Sequence, residues 1–345
     1  MLSQEGIFEP GSRQIEKFEK HLTRYFEREF RRYIESPVTL ESQGISTDSG
    51  PMMEDTTNLM EKHYDAPYKL FSSFLDNKFL AYSMAYYGNT PEEILNSSKT
   101  LEEAQNNKFN LIIKRARIRG DENILNIGCG FGSLETYLFS KFSDIKITGI
   151  TPSKIQADHI KTRFKDSNDP ISSGRFTLIE GAFDQIPADI LGIEQFDKVI
   201  SIAVFEQVRN MRETQKLISK ILKPNGIAFY HFITSKFLVP QLVNPEKTII
   251  GKYFPGGRVW PHNEILRHTE YLELESHWFI NGLNYWRTIS EWHKRFWDSL
   301  DVLYDSTLNL EEIAHWNKYF SLCKALFAPH EGRFYGNSHY LFRKS

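Results

Sequence analysis

Residues 124–133 read Ile-Leu-Asn-Ile-Gly-Cys-Gly-Phe-Gly-Ser, an apolar run followed by glycines at 128, 130 and 132. Glycine permits a tight turn after a strand and lets backbone N–H groups approach a ligand closely. The stretch therefore predicts a ligand-binding loop between the first strand and the first helix of an α/β domain.

Apolar strands alternate with helical stretches beyond this loop. After NILNIGCG, further strands are predicted at IKITGIT, RFTLIEG, FDKVISIAVFE and GIAFYHFI. This alternation is typical of a parallel, doubly wound sheet. The irregular stretch 234–275 indicates a substrate-binding insertion, and the final GNSHYLFRKS is predicted to form an edge strand.

The first part of the chain lacks this alternation. Residues 13–35 carry an apolar stripe of helical period, which predicts an amphipathic helix packed on its own protein; a membrane-surface or lid role stays open. Residues 36–56 are rich in Ser, Thr, Gly and Pro and predict a flexible linker or lid. We divide the chain into this helix and linker (1–56), a helical cap contributing to the cofactor site (57–115) and an α/β core (116–345).

Composition excludes several classes of protein. The 42 Lys and Arg nearly balance the 44 Asp and Glu, which speaks against nucleic acid as a partner. The two cysteines suit a reducing compartment, and no Cys/His cluster has the spacing of zinc ligands, so no metal is expected. No signal peptide and no transmembrane run is apparent. We expect a cytoplasmic enzyme.

The loop does not match a dinucleotide fingerprint. That pattern requires a sixth-position glycine, where this chain has Ser133, and an acid closing the second strand. The second strand ends instead in Thr-Gly-Ile-Thr-Pro-Ser, residues 148–153. A nicotinamide cofactor is therefore disfavoured.

Several motifs occur together in one order along residues 60–345. They are HYDAPYKLFSSFLDNKFLAYSMAYYGN, TLEEAQNNK, GCGFGSLETYLF, ITGITPSKIQ, FDKVISIAVFEQVRN, LKPNGIAFYHFI, YFPGG and WFINGLNYWRTISEWHKRF. This set resembles the cyclopropane fatty acid synthase and coclaurine N-methyltransferase family of S-adenosylmethionine-dependent methyltransferases. The resemblance implies the class I methyltransferase fold, a Rossmann-like doubly wound α/β sheet, here with an N-terminal helical extension and a substrate-binding insertion.

The resemblance also implies where S-adenosyl-L-methionine binds. The glycine loop would hold its methionine part, the Tyr-Ser pair of the cap its carboxylate, and hydroxyl and amide groups after the second strand its ribose. Residues after the third strand would flank its adenine, although Phe183 could equally serve packing. The implied residues are Tyr82, Ser83, Gly128, Gly130, Gly132, Thr151, Ser153, Gln156, Ala182 and Phe183. One departure is Asn126, where the family usually has Asp.

The reacting centre departs further from the family pattern. Relatives that methylate amines carry a Glu and a His where this chain has Ala203 and Gln207, and only Glu206 is kept. Gln207 can form hydrogen bonds but cannot take a proton. Cyclopropane synthases instead hold a bicarbonate ion, at positions that correspond to Glu206, His231, Ile233 and Tyr285.

We predict Glu206, Gln207, His231 and Tyr285 as catalytic residues. Structural alternatives stay open for three of them: Glu206 could orient backbone amides, His231 could be a satisfied core histidine, and Tyr285 could be a packed aromatic.

The predicted function is methyl transfer to nitrogen or carbon of a small, natural-product-like acceptor. Two alternatives remain: cyclopropane formation or C-methylation on an unsaturated lipid chain, and binding of the cofactor without turnover. Membrane contact is not expected under the first interpretation, and the sequence leaves a homodimer open.

Overall fold

A central sheet with five parallel strands organises the computed structural model, which describes residues 2–36, 45–55, 57–244 and 246–345. The strand order is β3-β2-β1-β4-β5, with β1 at the crossing point of the two halves. The bounds are Asn123–Ile127 (β1), Lys146–Thr151 (β2), Phe176–Glu180 (β3), Phe196–Ile202 (β4) and Leu222–Ser235 (β5). This order confirms the predicted doubly wound sheet and puts the glycine loop at its switch point.

The sheet continues beyond β5 with both parallel and antiparallel pairings. Within 234–275 lie the short strands β6 (Gln241–Leu242) and β7 (Arg258–Pro261); β8 (Glu273–Asn281) and β9 (Tyr335–Arg343) follow. β9 pairs with β5 on one side and with β8 on the other, so the prediction of a C-terminal edge strand is wrong. The reason is burial: residues 335–342 are all buried, whereas β8 is mostly half-buried and takes the edge.

Helices cover the sheet and build the cap. The predicted helix at 13–35 is confirmed as α1, which Ser12 caps through its side chain. The helix bounds are Arg13–Glu35 (α1), Tyr68–Phe74 (α2), Pro91–Leu95 (α3), Leu101–Arg115 (α4), Ser133–Lys141 (α5), Lys154–Arg163 (α6), Ala188–Leu191 (α7), Met211–Ile221 (α8), Leu283–Asp298 (α9), Leu300–Leu303 (α10) and Leu310–Phe327 (α11). Short helical segments lie at Thr57–Leu59, Met60–Tyr64 and Pro329–Gly332. In the described part of the chain, no helix is both long and apolar enough to cross a membrane.

Three large clusters of buried hydrophobic residues hold the sheet and helices together, beside a small one between α1 and α11. One cluster joins β1, β2 and β5 to α4 and α5, and a second joins β4, β5 and β9 to α8. A third, rich in aromatic side chains, joins α2, α9 and α11 above the carboxyl ends of the strands. Such edges are where α/β sheets bind ligands.

The predicted linker is described only in part, since 37–44 and 56 lie outside the described residues. Residues 45–55 are held against the core. Met53 forms an antiparallel bridge with Val208, the Thr47 hydroxyl donates to Glu264 at 3.1 Å, and Glu54 forms an ion pair with Arg258.

Candidate active site

The glycine loop turns sharply between β1 and α5. Gly128 has φ +80°, and a Cβ there would lie 2.1 Å from Val204 Cγ2, so only glycine fits between the loop and β4. The N–H groups of Gly128 and Cys129 donate to Ile150 O, each at 2.9 Å, which ties the loop to β2. The loop therefore runs along the floor of a cavity.

This first cavity opens at the carboxyl ends of β1, β2 and β4. Nine of the ten predicted cofactor residues line it, namely Tyr82, Ser83, Gly128, Gly130, Thr151, Ser153, Gln156, Ala182 and Phe183. Gly132 is absent from the lining. Its φ is +82°, and an added Cβ would lie 2.6 Å from Ile171 Cδ1, so it serves the turn into α5 and the packing behind the loop.

Hydroxyl and amide groups line the β2 side of the cavity. Thr151 Oγ1 donates to Gln156 Oε1 at 2.7 Å. Ser153 caps α6 by accepting from the Gln156 N–H at 3.3 Å, and its hydroxyl donates to Asp65 at 3.1 Å. These groups suit a ribose, as the resemblance implies.

A lysine that the sequence analysis missed lies on the cap side of the cavity. Lys108 Nζ donates to Ser83 Oγ at 2.9 Å and lies over the Phe109 ring. Lys108 is 1% exposed, and burial lowers its pKa to about 7. The sequence does contain a signal for this lysine, because Lys108 lies at helical spacing from Leu101, Ala104 and Ile112, on the buried face of α4.

Tyr82 separates this cavity from a second one. Its hydroxyl shares a 2.7 Å hydrogen bond with His63 Nε2, and burial lowers the pKa of His63 to about 3, so the ring is neutral. Tyr64, Ala203 and Gln207 also line both cavities. The two cavities thus adjoin where a cofactor and an acceptor would meet.

The second cavity has a volume of about 330 Å³ and walls rich in aromatic side chains. Eleven aromatic side chains line it: Tyr25, Phe26, Tyr64, Tyr82, Phe254, Tyr285, Trp292, Tyr319, Phe320, Phe327 and Tyr335. Two of them come from α1, so the helix predicted to pack on its own protein also closes this cavity. Strand β7 and the loop before it supply another wall, through Gly256, Arg258 and Val259.

Glu206 and Tyr285 both line the second cavity. Glu206 Oε1 accepts from the Ile233 N–H at 2.8 Å, while Oε2 has no hydrogen-bond partner among the described residues. Burial raises the pKa of Glu206 to about 7, against the smaller opposing effect of that hydrogen bond. Burial and the nearby Glu206 raise the pKa of Tyr285. Gln207 lines both cavities, and its Oε1 also lacks a partner in the described structure.

His231 is not brought to this centre. It lines neither cavity and is fully buried in β5, opposite His339 of β9. Its Nδ1 shares a 2.6 Å hydrogen bond with His339 Nε2, and its Nε2 lies 3.1 Å from Asn337 Nδ2. This placement favours the alternative of a satisfied core histidine over the predicted catalytic role.

The same placement argues against a bicarbonate cage. Glu206, Tyr285 and Ile233 border the second cavity, but the Ile233 N–H is already bonded to Glu206. Both ring nitrogens of His231 are engaged elsewhere. The residues present do not fit the ion.

The first cavity does fit S-adenosylmethionine. Lys108 and Ser83 can meet a carboxylate, and the hydroxyl and amide groups of β2 a ribose. Asn126 lines the cavity, and its buried Oδ1 has no partner among the described residues, so it can accept from a ligand donor.

Known proteins are similar to this chain in sequence. The family described as mycolic acid cyclopropane synthetase matches residues 53–334. (S)-coclaurine N-methyltransferase of Papaver somniferum is 25% identical over 308 residues, covering 85% of this chain and 82% of the relative. Cyclopropane-fatty-acyl-phospholipid synthase of Escherichia coli (strain K12) is 29% identical over 238 residues, covering 68% and 56%.

Solved structures agree on the fold. A coclaurine N-methyltransferase bound to N-methylheliamine and SAH superposes with TM-score 0.81 at 21% identity, covering 94% of this chain and 95% of that one. Cyclopropane synthase MmaA2 from Mycobacterium tuberculosis gives TM-score 0.66 at 21% identity, covering 83% and 98%. With S-adenosylmethionine as its cofactor, the chain belongs to the mycolic acid cyclopropane synthetase family of S-adenosylmethionine-dependent methyltransferases.

Proposed function

We propose that this enzyme methylates an amine nitrogen of a small aromatic acceptor. The observation that carries the proposal is the second cavity, where aromatic walls surround the buried carboxylate of Glu206. Aromatic faces attract a cationic or planar amine. A carboxylate in such a pocket complements the positive charge of that amine.

The chain's residues would position the acceptor and remove its proton. When bound, the cofactor supplies a methyl group on a sulfonium, and direct displacement then depends on alignment and a dry site. Tyr82, Tyr64 and the aromatic walls exclude water where the cavities adjoin. Glu206, with a pKa of about 7, can accept the proton of a bound ammonium. For an amine of pKa near 10, that transfer costs about 4 kcal/mol.

Cofactor binding in this proposal uses both sides of the first cavity. Ser83 and Lys108 take the carboxylate, and Thr151 and Gln156 face the ribose. Ala182 and Phe183 lie beside the adenine. We also place the enzyme in the cytoplasm, since Cys129 and Cys323 are both free thiols.

The proposal is tested by mass spectrometry of reaction products. The enzyme is incubated with S-adenosylmethionine and, separately, aromatic amines, phenols and vesicles of unsaturated phospholipid. We expect a gain of one methyl group on an amine. Glu206→Gln should lower turnover by about 10²–10⁴-fold, the usual loss when a proton acceptor is removed. Its affinity for S-adenosylhomocysteine should stay within about twofold of wild type, a difference below 0.5 kcal/mol.

A second candidate is methylation or cyclopropanation of an unsaturated acyl chain. It is favoured by Leu242 and Ile249, which line the second cavity and are 44% and 37% exposed. Such an apolar rim could admit a chain from a lipid surface. A methylene or methyl gain on the vesicle lipids, with every amine unchanged, would replace the first proposal with this one.

A further inference from the structure

A fully buried acid lies behind the cofactor cavity, outside the residues assigned so far. Glu135, in the first turn of α5, is 0% exposed. Its Oε1 accepts a 2.6 Å hydrogen bond from Asn126 Nδ2, and Asn126 is itself 2% exposed. Asn126 lines the cavity, whereas Glu135 does not. The pair therefore connects the cavity wall to a buried charge.

Two acceptors of this pair remain unused. Asn126 Oδ1 and Glu135 Oε2 have no hydrogen-bond partner among the described residues. Leaving a buried acceptor unpaired costs folding free energy. An orphan acceptor on Asn126 at the cavity wall, with the orphan oxygen of Glu135 behind it, therefore indicates that a donor arrives with the ligand.

The charge of Glu135 decides which way the Asn126 amide points. An ionised carboxylate only accepts hydrogen bonds, so Asn126 must present its Nδ2 to Glu135. The amide oxygen is then left for the cavity side. Burial raises the pKa of Glu135 to about 7, so the carboxylate is the main form in mildly alkaline solution.

The strand order identifies the donor. In the proposed binding mode the ribose and adenine lie at the ends of β2 and β3, so β1 with Asn126 would face the methionine end of the cofactor. The strong donor at that end is the α-ammonium group. We propose that Glu135 is a positioning residue: it fixes the Asn126 amide so that Oδ1 receives the ammonium of S-adenosylmethionine.

This arrangement explains the departure at position 126. At position 126, where the family usually has a carboxylate, this chain has an amide in the cavity wall. The negative charge lies behind that amide, on Glu135. The inference rests on the cofactor and not on the acceptor, so it stands or fails independently of the proposed amine substrate.

Calorimetry with two ligands at mildly alkaline pH tests the inference. S-adenosylhomocysteine carries the ammonium group, and 5′-methylthioadenosine has the same nucleoside and a thioether but no amino acid. Glu135→Gln should weaken S-adenosylhomocysteine by about tenfold, as expected for one charge-assisted hydrogen bond. The Kd of 5′-methylthioadenosine should change by less than about twofold.

A second pair of variants separates positioning from packing. The double variant Asn126→Asp with Glu135→Gln returns a carboxylate to the wall and should restore S-adenosylhomocysteine affinity. Asn126→Ala removes the acceptor and should reproduce the selective loss, which keeps the test available if Glu135→Gln folds poorly. The control is Glu122→Gln, a buried acid paired with Lys198 away from the cavity; it should leave both affinities unchanged.

The outcomes are distinct. A loss confined to S-adenosylhomocysteine and reversed by the double variant supports the inference. Equal weakening of both ligands, no weakening of either, or a double variant that stays weak would overturn it. None of these results depends on whether any amine is methylated.

Discussion

Lys108 is a buried charge whose environment in the protein leaves it poorly compensated. Its ammonium bonds to the neutral Ser83 hydroxyl, and the nearest acid that affects its pKa, Asp76, already accepts from the N–H groups of Phe79 and Ala81. Burying a charge without a close partner costs stability. The cost makes sense if the missing partner is the cofactor's carboxylate.

Lys108→Met should therefore change stability and cofactor affinity in opposite directions. Without cofactor and below pH 7, where the ammonium is the main form, the variant should melt at a higher temperature than wild type, because the buried cation is gone. Its S-adenosylhomocysteine affinity should fall by roughly 10- to 150-fold, which corresponds to about 1.5–3 kcal/mol for a hydrogen bond to a charged group. Thermal melting and calorimetry measure the two effects.

Lys198→Met is the matched control. Lys198 is also buried but pairs with Glu122 at 3.7 Å, outside the cavity. This variant should lose stability and keep its affinity. A Lys108→Met variant that melts lower and binds normally would show that Lys108 is structural.

At individual positions, nine of the ten predicted cofactor residues line the first cavity, whereas His231, one of the four predicted catalytic residues, lines neither cavity. The loop and β2 residues follow from local chain geometry, since turns and caps depend on neighbouring residues. His231 also ends a predicted strand, but its role depends on His339, more than 100 residues later, which engages its ring. No local pattern contains that pairing.

Among the elements, β9 shows why the sequence mispredicted the sheet edge. The strand carries three consecutive polar residues, Asn337, Ser338 and His339. All three are buried, and each has a side-chain hydrogen bond to β5, such as that between Ser338 and Thr234 at 2.5 Å. Hydrogen bonds between residues of distant strands cannot be predicted from the sequence alone. The parallel strands, by contrast, were predictable from their apolar runs.

Helix α1 is the element whose role the sequence left most open. The helix is held against α11 by the ion pair of Glu19 with Lys324, at 2.6 Å, and by packing of Leu22 on Leu322 and Ala325. In this position Tyr25 and Phe26 line the second cavity. The helix therefore forms part of the proposed acceptor site.

Phe26→Ala should raise the KM for the acceptor without changing the affinity for S-adenosylhomocysteine. We expect a rise of about three- to tenfold, since loss of a partly buried aromatic contact costs about 1 kcal/mol. Steady-state kinetics with the best acceptor measures it. Phe18→Ala, on the same helix but 38% exposed, serves as the control. Equal effects of the two changes would mean that α1 acts only through overall stability.

At the scale of the whole molecule, the fold buries an unusual set of titratable groups. His63, His231, His262, His293 and His339 are all buried, and burial lowers the pKa of each. For His293 and His63 the pKa falls to about 3, so the folded protein keeps these rings neutral in mild acid. Glu135 and Glu206 affect the pH dependence of stability in the opposite direction, because burial raises their pKa to about 7.

The free energy of unfolding should therefore fall as the pH drops below about 6.5, the pKa of a histidine in the unfolded chain. The reason is that the unfolded chain then binds protons that the buried histidine rings of the folded protein do not bind. Each buried histidine contributes up to about 1.4 kcal/mol per pH unit, and the two acids, which take up protons in the folded state, offset part of the loss. Urea unfolding at pH 7.5 and 5.5 measures this change in the free energy of unfolding.

His293→Gln, which can still donate to Asn317, should lessen the loss of stability in acid by about 1 kcal/mol, whereas His21→Gln on the exposed face of α1 should not. If His293→Gln left the loss of stability between pH 7.5 and 5.5 unchanged, His293 would have to be protonated in the folded protein, contrary to its burial.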